Sequence, residues 1–330
     1  MPSERTFVTE LLKALGLYGA SEPAEVLARR PAAFSNLAET DWERLARLFA
    51  GGAYEQEFAA GHANGRAFFE APDALRGRRP RLIEWTGGRR PPGDEVVPAD
   101  LRIDHVYLVS CKYASKILHN PSPARLVEGL LATGALPDGR DWYARTAPAE
   151  YQSLYELCAA GVGGLPMFGL SLSPRERRLL ASRLRQGWPE GAEAAYASLC
   201  RAVSVETARL WSARLMPGNE EAMLWRLLRI GAVPYFVLGS AGRSAVRLRV
   251  DTPWDWRQRY RLLALTVEAQ PGGQPRVGWS ARCEERTSGA EREVRGHVEI
   301  RWSHGRFAQP PEAKVYLDSP QEAVPGYNPL

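Results

Sequence analysis

The chain has 330 residues, 45% hydrophobic and 25% charged, near the averages of soluble globular proteins, and it exceeds the roughly 100 to 200 residues of one domain. No apolar run reaches the ~18 to 20 residues of a membrane span, and MPSERTFVTELLKALGL lacks the unbroken apolar centre of a signal peptide, so no membrane partner and a cytoplasmic location are expected. A net charge of +5 permits a polyanionic partner without demanding one.

The first 50 residues read as a helical segment, from VTELLKALGLY through AETDWERLARLF, where Thr40 and Glu43 suggest a capping box. Over residues 53–69, Tyr54, Phe58, Gly61, Gly65 and Phe69 form one stripe at helical spacing, so this helix should lie against a sheet, its glycines allowing close approach. RLIEWTGG, ADLRI and VYLVSCKY then read as three strands, the first two separated by the turn-rich RRPPGDEVVP. Ser122 and Pro123 open a helix that Gly134 closes. Residues 148–230 read as helical throughout, with a capping box from Ser173 to Glu176. Beyond Gly231 the segments PYFVLGS, AVRLRV, RYRLLALTVEAQ, PRVGWSARCEE, EVRGHVEIRW and KVYL alternate like antiparallel strands. Four divisions follow: 1–50, 51–147, 148–230 and 231–330.

The four cysteines, Cys111, Cys158, Cys200 and Cys283, form no CxxC pair, which argues against a zinc cluster and a disulfide framework. Only Lys13, Lys112, Lys116 and Lys314 among the 43 basic residues are lysine, so each one asks for a reason.

The segment PADLRIDHVYLVSCKY places an aspartate, Asp100, at the start of one strand and Lys112 on the next. It resembles the active-site hairpin of the PD-(D/E)xK, or restriction-endonuclease-like, nuclease superfamily, over about residues 54–134. That resemblance implies an α/β (α+β) fold with a mixed sheet flanked by helices. It also implies a magnesium-dependent endonuclease acting on double-stranded DNA, of the restriction or phage-defence kind, with manganese as a substitute metal. Ser110 stands where the family carries a carboxylate.

The chemistry can be argued from the residues alone. Phosphodiester hydrolysis uses a divalent cation to polarise the phosphate and acidify a water, and magnesium prefers oxygen ligands. Asp100 supplies one carboxylate. Alternation puts Ser110 and Lys112 on one strand face and Cys111 on the other. A three-residue turn over residues 104–106 sets Asp100 across from Ser110, whereas a two-residue turn does not. Asp104 sits at that turn, too far from Lys112 to serve. To replace the missing carboxylate the expectation turns to the preceding helix with its apolar stripe, with Glu57 ahead of Glu55; Glu84 is a further candidate.

Lys116, Arg247, Arg249, Arg257 and Arg259, interleaved with Trp254, Trp256 and Tyr260, read as a DNA-contacting set, and the bland alternative is a solvated arginine face over a tryptophan core. Cutting both strands often needs two active sites, which a homodimer would supply; the sequence leaves the oligomeric state open. Against the nuclease stand a nucleic-acid-binding protein with a decayed site, marked by Ser110, and an RNA-cleaving nuclease. An HNH-type metal finger at residues 104–106 lacks its later partners, and no Walker A loop or GxGxxG motif is present.

Overall fold

Ser3 starts the first helix, its hydroxyl accepting from Thr6 N at 3.2 Å, as the cap of an exposed first turn should. The computed structural model describes residues 3–87, 99–111, 117–130, 141–169, 172–215, 218–241, 244–270 and 272–330. In chain order the helices α1 (Glu4–Leu17) and α2 (Pro23–Arg29) precede β1 (Phe34–Ser35), α3 (Glu39–Ala50) and α4 (Glu55–Glu70). The α3 helix begins earlier than the Thr40–Glu43 pair suggests. Asp41 accepts from Ala38 N at 3.0 Å and takes over the capping role, because a carboxylate three residues along reaches back to that amide.

Three strands follow as expected: β2 (Ile83–Trp85), β3 (Leu101–Ile103) and β4 (Tyr107–Cys111). Then come β5 (Ile117–His119), a π-helical turn at Arg125–Leu130 behind the Ser122 hydroxyl, and the helices α5 (Trp142–Thr146), α6 (Pro148–Ala159), α7 (Pro174–Arg183), α8 (Ala192–Ser212) and α9 (Glu220–Leu227). The capping box at α7 forms as written in the sequence, Ser173 N donating to Glu176 at 2.7 Å. The remainder is β6 (Tyr235–Ala241), β7 (Ser244–Val250), α10 (Pro253–Arg259), β8 (Tyr260–Ala269), β9 (Arg276–Glu285), β10 (Glu291–Arg301), β11 (Glu312–Leu317) and β12 (Tyr327–Pro329).

The class is mixed α and β. A seven-stranded sheet runs β1-β2-β3-β4-β6-β7-β12, and a five-stranded antiparallel sheet runs β5-β11-β10-β9-β8. In the first, β2, β3 and β4 form an antiparallel meander and β6 joins β4 in parallel. Contacts group the chain into one unit of residues 1–116, 229–258 and 324–330 and another of residues 117–228 and 259–323. This grouping crosses the boundaries drawn from sequence. The β6–β7 hairpin, counted with the β-rich last third, hydrogen-bonds into the sheet of the N-terminal strands, because β4 offers it a free parallel edge.

In the first unit α1 is buried from Phe7 to Leu17. Its partner is α4, running parallel to it, with Arg5 beside Glu57 and Gly16 beside Gly65. The glycines of the α4 stripe therefore serve a helix contact as well as a sheet contact. A Cβ on Gly65 would stand 2.1 Å from Lys13 O, and one on Gly16 would stand 2.2 Å from His62 O. The other side of α4 meets the sheet, where Phe68 packs edge-on against Phe236 of β6 with ring centroids 4.8 Å apart. In the second unit, α8 lies on β8 and β9, and Trp142, Trp211, Tyr143 and Tyr151 are fully buried.

Candidate active site

The site grows from the β3–β4 hairpin. Ile103 pairs with Tyr107, and Val106 N donates to Ile103 O at 3.0 Å, so residues 104–106 make the three-residue turn that the reading requires. Asp104 and His105 both have positive φ, 51° and 59°. Asp104 tolerates this because its side chain has local work: it accepts from Arg81 N at 2.7 Å, Leu82 N at 2.9 Å and the Arg78 guanidinium at 2.7 Å. Burial pushes its carboxyl up, but these hydrogen bonds win and hold it below the usual range. Asp104 is a loop anchor.

Extending the ladder from Leu101↔Val109 brings Asp100 level with Ser110. The two strands part at that end. Asp100 N reaches Val109 O at 2.9 Å, and its carboxylate accepts from Cys111 N at 2.5 Å, lodging against the backbone of β4. Cys111 packs against the core of the first unit, while Ser110 is fully buried and its hydroxyl has no hydrogen-bond partner among the described residues. Lys112 and Lys116 lie outside the described residues.

The second carboxylate comes from α1, which sequence reasoning passed over. Glu10 is 6% exposed and accepts from the indole N–H of Trp85, on β2, at 2.7 Å. Its pKa is pushed up to about 7, first by burial and then by the charge of Asp100, against the opposing pull of the Trp85 hydrogen bond and of Lys13. Lys13, one turn on, is 2% exposed and donates to Thr9 O at 3.0 Å. The Glu10–Lys13 pair looks in sequence like the wet stripe of an amphipathic helix. The one available signal was that Lys13 is among four lysines in an arginine-rich chain.

The glutamates expected from α4 behave differently. Glu57 pairs with Arg5 at 3.2 Å and Glu55 is exposed, because the first turn of α4 faces the start of α1. Glu84, on β2, sits 3.6 Å from the His105 ring beside the turn. Glu10 is the glutamate whose ionisation Asp100 opposes.

A divalent cation fits this donor set. Magnesium keeps several waters and needs one or two protein carboxylates plus substrate phosphate, and Asp100 and Glu10 are oxygen donors of that kind. Ser110 alternates to the face of β4 opposite Val109 and Cys111, which pack in the core with α1. Among the described residues no group of three or more His, Cys, Asp or Glu side chains is placed to hold a metal, so the remaining ligands would be water and phosphate.

The arginines of the expected DNA-contacting set are largely engaged within the fold. Arg247 donates to Asn64 at 2.9 Å, and Arg249 donates to the fully buried Asp251 at 3.1 Å. Arg259 lies over the Tyr260 ring at 5.2 Å and donates to its hydroxyl at 3.0 Å. Arg257 is exposed on α10, a short helix within the last third that was expected to be mostly strand; Trp256 of the same helix is fully buried, and Trp254 is 73% exposed. Comparison of the chain with protein-family models, curated proteins and solved structures returns no match.

Proposed function

We propose that the protein is a metal-dependent DNA endonuclease of the PD-(D/E)xK kind, acting on double-stranded DNA, and that Glu10 and Asp100 carry its metal site. The observation behind this is the pair itself: a glutamate held near pKa 7 inside the fold, opposed by an aspartate at the parting of β3 and β4. A buried carboxyl whose ionisation a second carboxylate opposes is what a cation would relieve. The antiparallel β2-β3-β4 meander with a parallel β6 also supports the reading.

When bound, the cation supplies charge to the phosphate and lowers the pKa of a coordinated water. Asp100, fixed by Cys111 N, and Glu10, fixed by the Trp85 indole, are the residues that would hold it, Glu10 in its ionised form. Lys112, two residues beyond Ser110 in the sequence, would offset the charge developing on phosphate. The absence of a carboxylate at residue 110 favours a second reading, a DNA-binding protein with a decayed site.

The test is magnesium-dependent nicking of plasmid DNA by the purified chain and by Asp100→Asn and Glu10→Gln. Loss of cleavage in both, with circular dichroism unchanged, supports the site. Wild-type rates in both variants remove it. No cleavage by the wild type in magnesium or manganese leaves the binding-protein reading, and cleavage restricted to RNA substrates replaces DNA with RNA.

A further inference from the structure

In the second unit, α7 and the 3-10 turn after it, Leu184–Gln186, carry five arginines, Arg175, Arg177, Arg178, Arg183 and Arg185, against one acidic residue, Glu176. Arg177 is committed to the interior, 3.0 Å from the buried Asp141. Arg178 and Arg185 are exposed and form no ion pair among the described residues. With Arg306 and His304 they border a cleft of about 690 Å³. His304 lies 3.7 Å from the Glu312 carboxylate, and Arg306 donates to Leu184 O at 3.2 Å with its guanidinium over the Trp188 ring. Arg178 and Arg185 are therefore the cations here without an ion pair among the described residues. Exposed cations beside a concavity suit an anion, and arginines suit phosphate because their forked donors match its oxygens.

A second hollow of about 400 Å³ shares the lining residues Gly305 and Arg306 with the cleft. Its wall is aromatic. Trp188 and Tyr196 have ring centroids 5.0 Å apart, and Tyr196 stacks on Trp302 at 6.0 Å. Polar groups are few and varied. The buried indole N–H of Trp302 has no hydrogen-bond partner among the described residues, Gln274 accepts from the Tyr196 hydroxyl at 3.0 Å, and Glu193 lines the hollow. The volume lies within the ~300–1,000 Å³ of small-molecule pockets, and an aromatic wall with a donor, an amide and an acceptor suits a planar heterocycle with a polar edge.

We propose that this hollow seats one unstacked nucleobase of a nucleic-acid strand whose phosphates lie along Arg178, Arg185 and Arg306. This rests on the nuclease reading for its substrate class and supplies the contact surface that the engaged Arg247, Arg249 and Arg259 do not.

The test is binding of a single-stranded oligonucleotide bearing one 2-aminopurine, and of its duplex, in EDTA so that no cleavage is involved. The wild type should bind the single strand and change its 2-aminopurine emission. Trp188→Leu, which keeps apolar bulk but removes the ring face, should weaken single-strand binding about ten-fold. The Arg178→Ala/Arg185→Ala double variant should weaken binding to any sequence and lower the slope of log K against log salt by about one to one and a half. If Trp188→Leu fails to fold, Gln274→Ala takes its place, with a several-fold loss expected. Wild-type affinity in the pocket variant, or unaltered 2-aminopurine emission, overturns the base site; an unchanged salt slope in the double variant overturns the phosphate track. Pocket-dependent binding by a chain that never cuts retains this site and removes the nuclease. Cleavage untouched by the pocket variants removes this site alone.

Discussion

Glu10 joins two effects that pull in opposite directions on the same side chain. An ordinary glutamate titrates near 4.5, and this one near 7, so the folded state holds a proton that the unfolded chain has lost throughout the interval between. Stability therefore falls as pH rises through that window and reaches its full penalty above about 7. Glu10→Gln keeps an acceptor for the Trp85 N–H and removes the ionisation. It should stabilise the protein at pH 8 by up to about 3 kcal/mol relative to its effect at pH 4, since one pKa unit is about 1.4 kcal/mol. Urea unfolding at the two pH values reads this, and an equal effect at both sinks the raised pKa. The same variant should lose cation binding, and cation binding to the wild type near pH 7 should release a proton, seen as a dependence of calorimetric heat on the buffer's ionisation enthalpy. Arg249 makes a contrasting case. Its partner Asp251 is fully buried, so Arg249→Ala should cost about 3 kcal/mol of stability by stranding that charge, while the salt dependence of DNA binding stays at the wild-type value.

At the scale of elements, the position of Glu10 depends on how closely α1 can approach α4. Gly16 and Gly65 bring the backbones together, and Gly65 sits against Lys13 O and Leu17 N. A methyl group at 2.1 Å from a carbonyl oxygen can be relieved only by moving a helix, because backbone cannot rotate away as a side chain can. Gly65→Ala should destabilise the first unit by about 2 kcal/mol or more despite alanine's better helix propensity, and it should weaken cleavage by displacing Glu10. Thermal unfolding near the wild-type midpoint would show instead that the contact is loose. The β3–β4 hairpin is the second positioning element, its three-residue turn held open by the Asp104 side chain, which sets the register bringing Asp100 level with Ser110.

Over the whole chain, neither unit is one continuous stretch of sequence. The first closes with residues 324–330, where β12 pairs with β7, Pro325 O accepts from the buried Trp256 indole at 3.1 Å and Gly326 O accepts from Asp251 N at 2.8 Å. Deleting residues 324–330 should leave two buried donors without acceptors, at about 1–3 kcal/mol each, and expose Tyr235 and Val250 at the β12 edge. A lowered unfolding midpoint and aggregation are expected; a midpoint equal to that of the full chain would show that the strand contributes nothing.

Sequence by itself determined the elements whose signals are local. Ser173 and Glu176 cap α7 through atoms three residues apart, the strands from Tyr235 to Leu317 follow alternation, and the turn over residues 104–106 sets the register of Asp100. The resemblance of this hairpin to the nuclease motif singled out Asp100 and the departure at Ser110. Tertiary structure alone decided which sheet each strand joins, because β6 and β7 look in sequence like the strands that follow them, and only the free edge of β4 separates them. It decided that Glu10 and Lys13 are buried, since their spacing also fits a wet helix face, and that α4 covers it depends on glycines more than 40 residues away. It decided as well which arginines are spent on internal partners and which are left for solvent, a property of pairs distant in sequence that no pattern along the chain records.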